Sequence, residues 1–147
     1  MTVNISVNTY FEVKAKYANQ EKEKVVSETY VVPAFTFGEA EEKVTNYLND
    51  LAMDSTGTDI IAIKRAKYGE LLYDEERELP EKFAVVTVVN IIENDGGKTT
   101  KIATQYLVQA DNIDDAKAIV KERIGKSVVD WYIDAIAMTG INDVVEG

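Results

Sequence analysis

The sequence predicts an α+β fold: an internal duplication of a β-β-α-β unit, with a mostly antiparallel sheet and two helices packed on one face. Three observations predict it. First, Tyr30-Val31-Val32-Pro33-Ala34-Phe35-Thr36-Phe37-Gly38-Glu39-Ala40 superposes without a gap on Tyr106-Leu107-Val108-Gln109-Ala110-Asp111-Asn112-Ile113-Asp114-Asp115-Ala116, which is an internal repeat. Second, an alternating apolar hairpin pattern precedes each copy, the periodicity of half-buried strands. Third, each copy runs into apolar residues spaced three and four apart, the periodicity of a helix lying on a sheet.

In the first half the hairpin is Phe11 to Tyr17 with Lys24 to Val32, joined through the polar Ala18 to Glu23. Thr36-Phe37-Gly38-Glu39 has the form of a capping box, in which hydroxyl and carboxylate satisfy backbone donors that a helix start leaves unpaired. Phe37, Ala40, Val44, Leu48 and Leu51 form the stripe of the first helix, and Asp54-Ser55-Thr56-Gly57 is its expected stop. A strand from Ile60 to Tyr68 follows, continued by Gly69 to Asp74. Asp74 to Glu81 is a charged connector containing Pro80.

The second half repeats the plan. Phe83 to Ile91 pairs with Thr99 to Ala110 across Asn94-Asp95-Gly96-Gly97, whose residues tolerate the positive φ of a hairpin turn. Asn112 and Asp115 stand where Thr36 and Glu39 stand, Ile113, Ala116, Val120 and Ile124 form the stripe, and Gly125 is the expected C-terminal stop, on a helix about a turn shorter. The strand Tyr132 to Gly140 is aligned with Ile60 to Tyr68, and Ile141 to Glu146 with Gly69 to Asp74. The halves thus cover about 9–74 and 82–147, either side of the connector. Neither, at roughly 70 residues, buries much surface alone, so a single pseudo-twofold domain is expected. The sequence leaves open whether the halves share one sheet or form two.

Composition limits the chemistry. The chain has 147 residues, 16 Lys+Arg against 26 Asp+Glu, a net charge of -10, and neither His nor Cys. Disulfides, imidazole or thiolate metal sites, and His- or Cys-based nucleophilic catalysis are excluded. The acidic balance opposes phosphate backbones and anionic lipid, so neither direct nucleic-acid binding nor membrane binding is expected. Met1 to Tyr10 lacks a charged n-region, an apolar stretch and a cleavage site, which predicts a cytoplasmic protein. For acid-base catalysis, Glu28, Asp59, Asp130 and Asp134 are carboxylates that nothing separates from surface acids. Asp111 to Asp115 lacks the ligand order of a calcium loop. Hence no enzyme, no metal and no cofactor is expected.

The densest basic run is Lys64-Arg65-Ala66-Lys67-Tyr68. If Ile61 and Ile63 face the core, strict alternation carries Arg65 and Lys67 with them, so a bulge or an edge strand is expected there. Lys64, Arg65 and Lys67 suit an anion and Tyr68 suits stacking on a base. The competing reading is ion pairing with the many carboxylates, or edge protection. The matched segment of the second half, Ile136 to Gly140, carries no charge. Lys101, Thr104 and Tyr106 are a second polar set, able to hydrogen-bond and stack, though Thr and Tyr are also ordinary strand residues. Trp131 suits a stacking platform or a core anchor.

Tyr10-Phe11-Glu12-Val13-Lys14-Ala15-Lys16-Tyr17, Thr29 to Glu41, Ile63 to Glu70 and Gln105 to Ala110 together resemble a family of small proteins with a domain of unknown function, from Bacteroidetes and their phages and mobile elements. The resemblance implies a phage or mobile-element setting and transfers no catalytic residue. In that setting the expected function is non-catalytic: sequestration of a small anionic nucleotide used in host defence signalling, by a homo-oligomer, in the host cytoplasm, at Lys64, Arg65, Lys67, Tyr68, Lys101, Thr104 and Tyr106. The alternatives are an acidic protein-interaction module mimicking DNA, or a structural or cargo component of a phage particle.

Overall fold

The computed structural model describes residues 9–19, 24–52, 58–73 and 82–146. In chain order these form β1 (Tyr10–Asn19), β2 (Lys24–Pro33), α1 (Phe37–Ala52), β3 (Asp59–Ala66), β4 (Glu70–Leu72), β5 (Phe83–Glu93), β6 (Thr99–Gln109), α2 (Ile113–Ile124), β7 (Asp130–Met138) and β8 (Ile141–Val144). The fold is α+β. Its strands make two four-stranded sheets, ordered β3-β1-β2-β8 and β4-β6-β5-β7. The predicted connector 74–81, the helix stop at 54–57 and most of the first turn, 20–23, lie outside the described residues.

The chain divides into two compact units, passing from one to the other between Lys67 and Tyr68 and back between Thr139 and Gly140. The first unit holds β1, β2, α1, β3 and β8. Phe11, Val13 and Ala15 of β1 and Tyr30 and Val32 of β2 are buried under Ala40, Val44 and Leu48 of α1. The second unit holds β4 to β7 with α2, and there Ala84, Val86, Val88 and Val108 lie under Ala116 and Val120. Each helix therefore covers one face of its own sheet with the middle of the predicted stripe, while Phe37 and Ile113 at the helix starts are about half-exposed and the Leu51 side chain lies outside the described residues.

Local chemistry sets the element ends. Glu39 N donates to Thr36 Oγ1 at 3.1 Å, and the Glu39 carboxylate accepts from Phe35 N at 3.2 Å. Asp115 N donates to Asn112 Oδ1 at 2.8 Å, and the Asp115 carboxylate accepts from Asp111 N at 2.9 Å. Both helices thus start with the reciprocal cap, reaching one residue further back than the simplest capping box. Gly125 closes α2 with φ 60 and its N–H on Lys121 O at 2.9 Å. The β5–β6 turn places Gly96 and Gly97 at φ 97 and 81, a region costly for residues with a Cβ.

Two features depart from the sequence reading. The short strands change places: β8, at the end of the second half, pairs parallel to β2 of the first unit, and β4, from the first half, pairs parallel to β6 of the second. Every other pairing is antiparallel. The alignment of the late strands also moves by one residue. Phe11 faces Val32 and Arg65, while Ala84 faces Val108 and Met138, so Arg65 corresponds to Met138 rather than Ala137, and Lys64 to Ala137. Likewise Glu70 sits beside Tyr106 and Asp143 beside Tyr30, which equates Glu70 with Asp143. The lost charge of the second copy survives this correction, since Ala137, Met138, Thr139 and Gly140 are all uncharged.

Candidate functional site

The expected irregularity near the basic run exists. β3 is an edge strand, and its register against β1 shifts between Lys14 and Ala15, which face Ala62 and Ile60. Ile61 is the extra residue and is 48% exposed, while Ile60 and Ile63 pack against the core. The bulge therefore puts Ile60, not Ile61, on the core side together with Ile63. From Ile63 onward alternation holds, and Arg65 shares the helix-covered face with Phe11.

Arg65 is not buried there, because it lies at the sheet edge beside the first turn of α1. Its guanidinium carbon lies 5.2 Å from the centroid of Phe11 and 5.6 Å from that of Phe37, and those rings meet edge to face at 4.9 Å. This is a cation held on aromatic faces. No ion pair joins Arg65 to a carboxylate among the described residues. Phe37 is 46% exposed, and Phe35, two residues earlier, is 73% exposed.

The other predicted residues are dispersed. Lys64 points to the opposite face and pairs with Glu12 at 3.1 Å. Lys67 lies exposed beyond the end of β3 in the first unit, whereas Tyr68 opens the second unit and is half-buried. Lys101 is exposed on β6, with Nζ 5.9 Å from the Tyr132 centroid. Thr104 is a packing residue: a Cβ built on Gly69 would stand 2.4 Å from Thr104 Cγ2, and Gly69 N bonds Gln105 O at 2.8 Å. Tyr106 packs against the core of the second unit. Lys64 and Arg65, adjacent in sequence, do not converge, because neighbours in a strand point to opposite faces. Phe11, Phe35 and Phe37 were not among the predicted site residues. The available signal was two phenylalanines flanking a helix cap, where only one is needed to staple the turn.

A polar cluster in the same unit also escaped prediction as a set, although Glu28 was singled out. The Glu28 carboxylate accepts from the Tyr17 hydroxyl at 2.9 Å and from the Tyr30 hydroxyl. The Tyr47 hydroxyl donates to Asp143 at 2.9 Å, and the rings of Tyr30 and Tyr47 meet edge to face at 5.5 Å. The second unit builds the same corner differently: Arg123, at the helix position of Tyr47, pairs with Glu70 at 2.8 Å beside Tyr106. Burial, reinforced by its hydrogen bond to Glu28 and the charge there, pushes the Tyr30 phenol far above its ordinary range. Burial, then the Glu70 charge, raises Tyr106, against a smaller opposing effect of Arg123. Phenols kept protonated in the fold but free to ionise near pH ~10 when unfolded leave the unfolded chain with fewer protons above that pH. Stability is therefore fully held below it and falls as pH rises through it. Denaturant midpoints measured on either side of pH ~10 are expected to drop at the higher value, and to drop less in Tyr30→Phe; an equal drop in that variant would refute the assignment.

Where the first unit has Phe11, Phe35, Phe37 and Arg65, the second has Ala84, Asp111, Ile113 and Met138. Smaller side chains leave an open groove of about 580 Å³ there, with Ile113 and Met138 in its lining beside Lys82, Asp111, Asp114 and Thr139. Two carboxylates against one ammonium make this groove unsuited to an anion. Among the described residues no group of three or more His, Cys, Asp or Glu is placed to hold a metal ion, and no helix is long and apolar enough to cross a membrane.

The family described as "Domain of unknown function (DUF4494)" matches this chain over residues 9–147. No curated protein and no solved structure matches it.

Proposed function

We propose, from the premise that the chain belongs to the DUF4494 family, that it is a non-catalytic binding protein for a small anionic ligand with a planar ring, a nucleotide. The observation that carries this reading is Arg65, without a carboxylate partner among the described residues, laid over Phe11 and Phe37. What sets Arg65 apart from the other cations is its seat over two aromatic rings at once. Stacking on the rings holds the guanidinium plane while its N–H edges stay available for a phosphate fork. Phe35 and Phe37 offer aromatic surface for a base. Lys67 is the second cation expected to contribute, whereas Lys64 is engaged with Glu12 on the other face. Sequestration of a host signalling nucleotide by a phage or mobile-element protein is the specific form of this proposal.

The test is a thermal-melt panel of cyclic dinucleotides, cyclic trinucleotides, ADP-ribose derivatives and nucleoside triphosphates. Ligand at 100 times its dissociation constant stabilises by about 2.7 kcal/mol, a shift of several degrees. Arg65→Ala is expected to abolish a selective shift and Lys64→Ala to leave it intact. A flat panel, or a shift that depends on Lys64 and not Arg65, overturns the proposal.

A further inference from the structure

The face of the second sheet turned away from α2 carries a pattern that the equivalent face of the first sheet lacks. Residues facing one another across β5 share a face. Lys101 and Asp130 flank Ile91, Ala103 and Tyr132 flank Val89, and Gln105 and Ala135 flank Thr87. These six flanking residues are all exposed, and the 5.9 Å approach of Lys101 to Tyr132 places both on this side. The matching positions of the first sheet hold Lys14 and Lys16 on the central strand, between Val25, Ser27 and Thr29 on one side and Asp59 and Ala62 on the other, with no lysine and acid facing one another across it. On the second sheet the only charges among these residues are Lys101 and Asp130, at one level of the strands and on opposite sides of β5.

We infer that this face binds a second copy of the chain, about a twofold axis parallel to β5. Such an axis keeps each residue's level along the strand and exchanges the β6 side with the β7 side. Lys101 of one copy then meets Asp130 of the other, and the reverse contact forms at the same time. At the next level the large Tyr132 meets the small Ala103, and then Gln105 meets Ala135. The axis passes over the half-buried Thr87 and the buried Val89, so the flanking pairs make the contacts. The face is thus complementary to itself in charge and in size, as an isologous interface requires. Sheets packed face to face stand about 10 Å apart, a gap that side chains of this mixture fill. The exposed area spans three strands, at the small end of specific interfaces, so association depends on concentration. This inference is independent of the ligand reading, which uses the other unit.

The experiment is sedimentation velocity over a concentration series, with charge-reversal variants. The wild-type protein is expected to pass from one chain to two as concentration rises. Lys101→Glu opposes two acids at both contacts, Asp130→Lys opposes two cations, and each is expected to remain a single chain. Mixing these two variants restores both contacts in trans and is expected to give a two-chain species, as is the doubly exchanged variant K101E/D130K. Ala103→Arg, which obstructs the partner's Tyr132, tests the size contact separately. Circular dichroism and melting of each variant report on folding, which exposed positions are expected to leave intact. A wild-type protein that stays a single chain throughout, reversals that leave the dimer unchanged, or a mixture that fails to restore it, each overturns the inference.

Discussion

Phe11→Ala is expected to destabilise the protein by about 3–5 kcal/mol, the range for truncating a buried aromatic side chain. Phe11 is fully buried, lies in the core under α1, meets Phe37 edge to face at 4.9 Å and supports Arg65. The loss covers transferred apolar area, the cavity left behind and the support of a cation on a ring. It is a large share of the ~5–15 kcal/mol that ordinary domains have in hand. The second unit carries alanine at the equivalent position, Ala84, buried in its own core. The substitution is expected to leave a cavity under α1 in the first unit and to leave Arg65 less well held. Denaturant unfolding read by circular dichroism measures the first effect, and a nucleotide titration of the folded variant measures the second. A loss below ~1 kcal/mol, smaller than the typical point-mutant effect, would show that Phe11 is not the packing anchor described.

Gly69→Ala is the second large effect. The added methyl would stand 2.4 Å from Thr104 Cγ2, closer than carbon atoms approach without displacement. Thr104 is β-branched and has little rotamer freedom with which to give way. Overpacking of this kind costs about 1–3 kcal/mol, and β4, only three residues long, is the element that it would displace. Thr104→Ser removes the obstructing methyl and keeps the hydroxyl. It is expected to have little effect alone and to recover most of the loss in the double variant. The double-mutant cycle should therefore show a coupling of the size usual for residues in contact. If Gly69→Ala is equally harmful with serine at 104, the close approach is not the cause. The same series tests the earlier suggestion that Thr104 serves a ligand, because a packing residue changes stability and leaves affinity alone.

What was legible in the sequence followed from local rules. Ala40, Val44 and Leu48, or Ala116 and Val120, have a spacing that only a helix turns to one side. Thr36 with Glu39, Asn112 with Asp115, and Gly125 have one efficient use each, as caps. Gly96-Gly97 marked its hairpin because positive φ is costly elsewhere. The alignment of β3 with β7 was one residue out along its whole length, although both strands carry the bulge at the same place, at Ile61 and at Asp134. Ile60 and Ile63 share the core side although three positions separate them, so period-two alternation cannot set the phase of that strand. A one-residue slip exchanges the faces of every side chain beyond it.

The candidate site was legible only in part for the same reason. Arg65 was singled out by charge, but its separation from Lys64 depends on strand phase, and its seat on Phe11 and Phe37 depends on β1, β3 and α1 meeting at one edge. The pairing of Glu28 with Tyr17 and Tyr30, and of Asp143 with Tyr47, joins residues up to 96 positions apart. No local pattern encodes such a distance. The partners of β4 and β8 were illegible too, since segments of three and four residues carry too little alternation to specify which sheet receives them.

The exchange of those two short strands has a consequence for the order of folding during synthesis. The first unit receives β8 from residues 141–144, so its sheet stays one strand short until those residues have left the ribosome. The second unit can be completed earlier, because β4 precedes everything else in its sheet. The part of the protein translated first is thus the last to close. During that interval β2 presents an unpaired edge to its surroundings, and β8 acts as the latch that covers it.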